Sequence, residues 1–348
     1  MNKYKNVYIL GVGGSGMSSI AKFLVQQNLN VSGYDQRKSY ITNQLNQDGI
    51  IVDFDLDNLS YSSQILYIYS SAMPINETFL KNYIDNENVI SRPTFLKKLS
   101  EGNKIIGITG THGKTSTTAL LAHIFHYNNR NVSYIYGGMT SFHGIGGHFG
   151  DTDEPIILET DEAFNTFKDI EIEDLLITNI DYDHLDYFES FDNLISAFQF
   201  VIDNVKNNLV INYDDANLKV LKIHKRPITY SSTGDTDIKI KFPNKVVIDD
   251  SEYLIITKLI GSHFISNIAG AIALAKINGI RVEDSIKAIK NFPGVKRRTE
   301  YLGSVNGIKV YDDYGHHPTE ITATVTSIKE HTKGKLYVVF QPHRYTRT

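Results

Sequence analysis

The chain contains no cysteine, which excludes disulfides, thiolate metal sites and a cysteine nucleophile. It also lacks any apolar run approaching the ~20 residues that a membrane helix needs. Met1-Asn-Lys-Tyr-Lys5 leads into only a short apolar strand, which is not the pattern of a signal peptide. No repeat or low-complexity tract is present. Charge of neither sign predominates: the balance is −4, so no whole-surface attraction to nucleic acid or to a membrane is implied. These absences describe a soluble globular protein suited to the cytoplasm. At 348 residues the chain is too long for one ordinary core and predicts two or three domains.

What the chain does have is glycine where strands turn into helices. Lys104 to Thr109 is an apolar run of strand character, and Lys114 to Asn128 has helical spacing, with Ala119, Leu120, Ala122, Ile124 and Phe125 available for burial. Between them lies Gly110-Thr111-His112-Gly113-Lys114-Thr115-Ser116. Glycine lets the backbone bend tightly and approach a ligand, and the unpaired N–H groups at a helix start favour phosphate oxygens. Lys114 adds a positive charge for β- and γ-phosphates, and the Thr115 hydroxyl is a ligand for Mg²⁺. The pattern is the shorter G-T-x-G-K-T, because Ile108 stands where the full phosphate-loop motif has its first glycine. It reads as an ATP-binding loop; the plainer alternative is a glycine turn capping an ordinary helix.

Residues 1–102 form a first unit. Asn6 to Leu10 is a buried-strand pattern, followed directly by Gly11-Val12-Gly13-Gly14-Ser15-Gly16-Met17 and a helical run to Gln27. A second strand, Asn30 to Tyr34, ends on Asp35, the offset at which a nucleotide-binding βαβ unit places an acid near a ribose. Ile50 to Phe54, Gln64 to Tyr69 running into Ser70-Ser71-Ala72, and a helix after Pro93 continue an α/β alternation that predicts a mostly parallel sheet. A lone GxGxxG says that a diphosphate can lie on a helix start, and both NAD and a UDP-sugar carry one. A dinucleotide dehydrogenase is therefore a live reading of this unit, and Asp35 reads equally as a solvated loop acid.

Residues 103–295 form a second unit. Pro155 to Leu158 delivers Glu159-Thr160-Asp161-Glu162, and Asp174 to Asn179 delivers Asp181, Asp183 and His184. In a parallel sheet these strand ends open onto the edge that carries the phosphate loop. Thr115 and Glu159 suit one octahedral Mg²⁺; His184 suits a second, more tolerant divalent site, with Mn²⁺ as the alternative ion. Loop acids solvating strand ends are the plain alternative. Gly261 to Asn267 opens a helix with His263 and Asn267 one turn apart, placed either to contact a base or to serve as helix-start polar residues. Lys296-Arg297-Arg298 after Pro293-Gly294 is a linker or, at a domain junction, a holder of carboxylate or phosphate.

Residues 296–348 begin a third unit. Ile308 to Tyr311 is a strand ending in Asp312-Asp313-Tyr314-Gly315-His316-His317-Pro318, with a helix from Thr319 towards His331. Leu336 to Phe340 reads as another strand, and Arg344 and Arg347 close the sequence. Adjacent histidines that point apart do not readily chelate one metal, so His316 and His317 are not read as a metal pair.

In this order the segments resemble the Mur ligase family, and the match runs from end to end. The resemblance implies an N-terminal Rossmann-like domain, a central P-loop ATPase-like α/β domain and an incomplete C-terminal Rossmann-like domain. It further implies ATP-dependent joining of L-alanine to the lactyl carboxylate of UDP-N-acetylmuramate through an acyl phosphate, for peptidoglycan precursors. It assigns Gly11, Gly13, Gly14, Ser15, Gly16 and Met17, with Asp35 and Ser71, to the UDP-sugar rather than to NAD. Gly110 to Ser116 go to the ATP phosphates, Thr115 and Glu159 to Mg²⁺, His184 to a second metal, and His263 and Asn267 to the adenine segment. Arg297, Arg298, Tyr314, His316, Arg344 and Arg347 fall to the junction and third-domain face of the cleft. Later ligases of this pathway carry a carbamylated lysine after the Asp-His motif; Ala197-Phe198-Gln199 has none.

Thr160, Thr299 and Gly315 depart from the family's usual small residue, aromatic and alanine, without removing a proposed ligand. Family members continue through a third domain of ordinary size, about 100–150 residues; only its opening is present, which predicts weak or no ligation by these 348 residues. Two rivals share parts of the pattern. A murein tripeptide-recycling ligase would use the same ATP machinery, and an NAD-dependent oxidoreductase would explain residues 1–40 but leave Gly110 to Thr115 idle. A non-catalytic nucleotide-binding remnant is a third. Oligomeric state is not legible.

Overall fold

A computed structural model describes residues 3–57, 59–141 and 143–342. The first sheet comprises β1 (Asn6–Leu10), β2 (Asn30–Tyr34), β3 (Ile51–Asp53), β4 (Ile65–Tyr69) and β5 (Val89–Ser91), with α1 (Ser15–Val25), α2 (Tyr40–Gln47) and α3 (Arg92–Ser100) between and after them. Its order is β3-β2-β1-β4-β5, and every pairing is parallel. Strand β1 is apolar on both faces because both are covered: Val7 and Ile9 enter one core, Tyr8 and Leu10 another. The chain moves outward from β1 to β3 and then returns to β4 on the other side of β1. A crevice therefore opens where the order reverses, bordered by the glycine turn after β1 and by Ser70-Ser71-Ala72 after β4.

The second sheet takes β6 (Ile105–Thr109), β7 (Ser133–Thr140), β8 (Gly144–His148), β9 (Ile156–Glu159), β10 (Asp174–Ile177), β11 (Asn208–Asn212), β12 (Ile228–Ser231), β13 (Ile238–Lys241), β14 (Lys245–Ile248) and β15 (Ser251–Leu254). Its helices are α4 (Lys114–Tyr127), α5 (Leu185–Phe188), α6 (Phe191–Asp203), α7 (Ser262–Ile277) and α8 (Val282–Asn291). Strand order is β15-β14-β13-β12-β11-β10-β6-β9-β7-β8. Strand β6 lies between β10 and β9 and is parallel to both, with Ile177 opposite Thr109 and Glu159 opposite Ile108. The three segments that carry acids, lysine and histidine thus leave neighbouring strand ends. Helix α4 is buried from Thr115 to Phe125 because the sheet lies on one side and α7 and α8 on the other.

The two sheets share one core. Helix α1 packs on β7 and β8, and Met17, Phe23 and Leu24 join Ile135, Ile145 and Leu158 in a single apolar cluster. The last stretch holds a hairpin of β16 (Glu300–Val305) and β17 (Ile308–Asp312), then α9 (Pro318–Glu330), whose first turn is capped by the His317 ring accepting from the Thr319 N–H.

The strand expected over Leu336 to Phe340 does not form. Alternation alone does not make a strand; its N–H and C=O groups need a neighbour. This segment pairs with none among the described residues, and Tyr337 and Val339 are 80% and 99% exposed. Arg344 and Arg347 lie outside the described residues. No helix among the described residues is long and apolar enough to cross a membrane.

Candidate active site

The loop after β6 is built for close approach. Gly110 and Gly113 adopt φ of +124° and +84°, a region costly for other residues. A Cβ at Gly110 would lie 2.3 Å from Thr178 Oγ1. The end of β10 holds the loop: Thr111 N–H donates to the Asn179 carbonyl at 3.1 Å and His112 N–H to Asn179 Oδ1 at 2.8 Å. Ser116 is buried one turn into α4.

Lys114 does not extend into open space. Its Nζ donates to the Gly110 carbonyl at 2.6 Å and to Glu162 Oε2 at 2.8 Å, with Asp161 Oδ1 at 3.7 Å. Desolvation opposes its charge, but the carboxylates of Glu162 and Asp161 outweigh that and hold its pKa above the ordinary lysine value. Burial pushes the Glu162 carboxyl up, against the pull of Lys114.

Thr115 Oγ1 donates to Glu159 Oε1 at 2.8 Å, and Glu159 Oε2 accepts from Gly137 N–H at 2.6 Å. A hydroxyl and a carboxylate oriented side by side are hard oxygen donors of the kind Mg²⁺ takes. His184 stands apart from that pair: it groups with Asp161 and Glu162, one ligand atom of each lying within 4.8 Å of the others. That mixed O,O,N set fits a more tolerant divalent ion. His184 adopts φ of +55°, an uncommon conformation that persists where its surroundings fix it. A second such group joins His112, Asp181 and His317.

In the first unit, Gly11 (φ +78°) turns the chain after β1, and Gly13 N–H donates to Asp35 Oδ2 at 2.9 Å. Asp35 therefore braces the glycine turn. Gly14, Ser15, Gly16, Met17 and Ser71 face the crevice together with Arg92, which nothing in the sequence pattern singled out. The Arg92 guanidinium lies over Gly16, where an added Cβ would meet it at 3.0–3.1 Å. Its Nε is buried and has no hydrogen-bond partner among the described residues.

These walls enclose one cleft of about 390 Å³. Gly14 to Met17 and Arg92 come from the first unit; Lys114, Thr115, Glu159, Asp161 and His184 from the second; Arg298, Tyr314, His316 and Glu320 from the third. Nine expected residues do not line it: Gly11, Gly13 and Asp35 at the first glycine turn, Gly110, His112 and Ser116 at the nucleotide loop, and Arg297, Asn267 and His263. Arg297 pairs with Asp312 at 3.3 Å and lies over the Tyr314 ring, 5.0 Å from its centroid. Asn267 abuts the nucleotide loop, its Oδ1 being 2.8 Å from where a Gly113 Cβ would be. His263 is buried beside Gly261 and Phe264, and burial pushes its pKa down. Helical spacing put His263 and Asn267 on one side, but that side faces the loop and α9 rather than the open cleft.

Comparison with known proteins follows this geometry. Residues 6–104 match the Mur ligase family catalytic domain, 108–275 the Mur ligase middle domain and 297–347 the Mur ligase glutamate ligase domain. Over 360 residues the chain is 34% identical to a UDP-N-acetylmuramate–L-alanine ligase from Hydrogenobaculum sp., covering 99% of this chain and 80% of that one. The chain belongs to the Mur ligase family. The ligase of the same name from Rhizobium etli is 32% identical over 366 residues, covering 98% and 77%. Among solved structures, the UDP-N-acetylmuramate-alanine ligase MurC of Thermotoga maritima superposes with a TM-score of 0.81 at 24% identity, over 93% of this chain and 77% of that one. The murein peptide ligase of Psychrobacter arcticus gives 0.73 at 23%, over 94% and 76%. These two likenesses are of fold. As a Mur ligase the chain has its nucleotide loop, acid cluster and third-unit cations on one cleft, which is the arrangement an ATP-dependent acid–amino-acid ligase requires.

Proposed function

We infer that this chain joins L-alanine to the lactyl carboxylate of UDP-N-acetylmuramate with hydrolysis of ATP to ADP and phosphate, in peptidoglycan precursor synthesis. The observation that carries the reading is the single cleft on which the glycine turn of the first sheet, the Lys114 loop and the Arg298, Tyr314 and His316 face all open. The names of relatives at 32–34% identity support alanine as the amino acid rather than a tripeptide. An oxidoreductase reading leaves Lys114, Glu159 and His184 without work. We read three units, 1–102 for the UDP-sugar, 103–295 for ATP and 296–348 for the third wall, and the three matched stretches support that division. Both nucleotide substrates support a cytoplasmic setting.

An amine does not displace oxide from a carboxylate, so the acid must first gain a leaving group. A lactyl carboxylate oxygen attacks the γ-phosphorus of ATP in line, and the bond to the β-phosphate oxygen breaks to leave ADP. Lys114 exchanges Glu162 for phosphate oxygens and spreads the charge that develops there. Thr115 and Glu159 would hold Mg²⁺, and Asp161, Glu162 and His184 a second divalent ion; such ions neutralise phosphate charge and align it. The alanine amine then attacks the acyl carbon of the resulting acyl phosphate, phosphate leaves, and the amine proton passes to a base. His316 lines the cleft on its third wall and is the candidate for that proton.

The test is ADP release by the purified chain with ATP, UDP-N-acetylmuramate and L-alanine, each omitted in turn, with glycine and L-serine as comparators. Release only with all three supports the reading; release independent of the sugar overturns it.

A further inference from the structure

His112 occupies the variable position of the nucleotide loop, and its contacts leave the loop for the third unit. Its backbone is fixed: N–H donates to Asn179 Oδ1 at 2.8 Å, and its carbonyl accepts from Thr178 Oγ1 at 2.6 Å and Asn179 Nδ2 at 3.0 Å. The imidazole then lies between two carboxylates from different parts of the chain. Nε2 is 3.1 Å from Asp181 Oδ2, and Nδ1 is 3.3 Å from Glu320 Oε1. A ring with an acceptor at each nitrogen donates at both only when doubly protonated, and the two carboxylates do hold the pKa of His112 above its usual value against the desolvation that opposes it.

Glu320 is the other end of this connection. It lies in the first turn of α9 with its side chain 16% exposed. The same carboxylate accepts from His316 N–H at 3.3 Å and lies 3.7 Å from Arg298 Nη1. One residue before Glu320, Thr319 Oγ1 donates to Asp181 Oδ2 at 2.7 Å, and the His317 ring bonds the Tyr182 carbonyl at 3.1 Å. The first turn of α9 is thus tied to the loop and to the end of β10 at several points, and Glu320 joins the loop to both Arg298 and His316.

We propose that His112 and Glu320 form a clamp that couples occupancy of the nucleotide loop to the placement of Arg298 and His316, with Glu320 acting as a positioning residue for the alanine-capture step. The proposal rests on the ligase reading above for its chemistry, but the coupling itself is measurable without turnover. Nucleotide on the loop bears on the His112 imidazole while its backbone stays tethered, and through Glu320 on Arg298 and His316. Loss of the clamp leaves the phosphate contacts of the loop in place and misaligns the third wall, an error of the kind that costs about 10- to 100-fold in rate.

The test uses the full chain and the variants His112→Ala, Glu320→Gln and their double. Hydrogen exchange of residues 314–322 is followed with and without a non-hydrolysable ATP analogue. Protection by the analogue in the parent and its absence in both single variants, with analogue affinity in Glu320→Gln changed less than about threefold, supports the clamp. In ligation, kcat/KM for L-alanine should fall about 10- to 100-fold while KM for ATP holds in Glu320→Gln, the double variant should be no worse than the poorer single, and Glu320→Asp should restore part of the loss. No analogue-dependent protection in the parent overturns the coupling whatever the reaction proves to be. Additive losses, or a loss carried in KM for ATP, also overturn it. Stoichiometric Zn²⁺ or Mn²⁺ binding that requires His112, Asp181 and His317 together would make the cluster a metal site and overturn the clamp. A parent that shows nucleotide-dependent protection but releases ADP independently of the sugar leaves the coupling standing and refutes the ligase reading alone.

Discussion

Lys114 Nζ rests 2.8 Å from Glu162 Oε2, and the Glu162 side chain is 1% exposed. The loop's cation is therefore held on a buried carboxylate at the place where a triphosphate would bring its own negative charge. Breaking such a pair by removing one partner leaves an uncompensated buried charge and costs about 3–5 kcal/mol. Lys114→Ala should abolish ATP-dependent ligation, at least 100-fold by the usual worth of one such electrostatic contact, while UDP-N-acetylmuramate still binds the first unit by calorimetry. It should also lower the thermal midpoint, and Glu162→Gln in the same chain should restore the midpoint without restoring turnover. Near-normal phosphate release by Lys114→Ala would remove the loop from the mechanism.

Local patterns made the strand-to-helix turns legible. Val7 to Leu10 followed by glycine, and Ile105 to Thr109 followed by Gly110, each state a buried strand and a close turn within about a dozen residues. Joint placement of Glu159 and His184 was legible too, because parallel strands open their ends on one edge. The rest depends on pairs far apart in the chain. Arg92 begins an ordinary helix, and only its seat over Gly16 gives it a place in the cleft. Glu320 reads as a routine first-turn acid until His112, 208 positions earlier, is seen against it. Leu336 to Phe340 has the alternation of a strand, yet pairing is a property of two segments. His263 and Asn267 show the same limit: spacing fixes their common side but not what that side faces.

The first two sheets meet through backbone as well as through the apolar side chains of their shared core. A Cβ at Gly147 on β8 would lie 2.0 Å from the Ser19 carbonyl of α1, while Ser19 Oγ donates to the buried Tyr136 carbonyl at 2.7 Å. No rotamer relieves a clash with a main-chain atom. Gly147→Ala should therefore force α1 off the hairpin and cost roughly 3 kcal/mol, the upper end of ordinary overpacking. Denaturant unfolding checks this, and an unchanged midpoint would mean that α1 and β8 are not held as described.

The same contact carries a pH dependence. His143 and His148 lie around His126, with ring centroids at 5.6 and 5.0 Å. Burial first, and then the charge of His126, pushes both down to about 4 from the ordinary 6.5. Between these values the unfolded chain binds more protons than the native one, so stability is whole above about pH 6.5 and declines as pH falls towards 4. With allowance for partial exposure the slope is roughly 1 kcal/mol per pH unit for the two together. Thermal unfolding at pH 7 and pH 5 should show the drop, and His143→Gln with His148→Gln should flatten it. A midpoint constant across that range would show that neither ring is buried uncharged.

Arg92 offers the most direct test of how the sugar nucleotide is held. Its guanidinium lies against Gly16 at the start of α1, so a cation rests near the positive end of a helix, and its buried Nε finds no acceptor among the described residues. The Asp161 carboxylate offsets part of that charge, but the Nε is left without an acceptor, and an unpaired buried donor alone costs about 1–3 kcal/mol. A diphosphate on the turn Gly14-Ser15-Gly16 would relieve both, and guanidinium meets it with two parallel donors where an ammonium offers a single point of charge. Arg92→Lys should therefore raise KM for UDP-N-acetylmuramate about tenfold or more with KM for ATP little changed. Gly16→Ala should do the same, because its methyl group displaces the guanidinium from its seat rather than disturbing α1. The double variant should be no worse than either single one, since both remove one contact. A KM within twofold of the parent in Arg92→Lys, or fully additive effects in the double, would separate Arg92 from the sugar nucleotide and leave the glycine at position 16 with only a packing role.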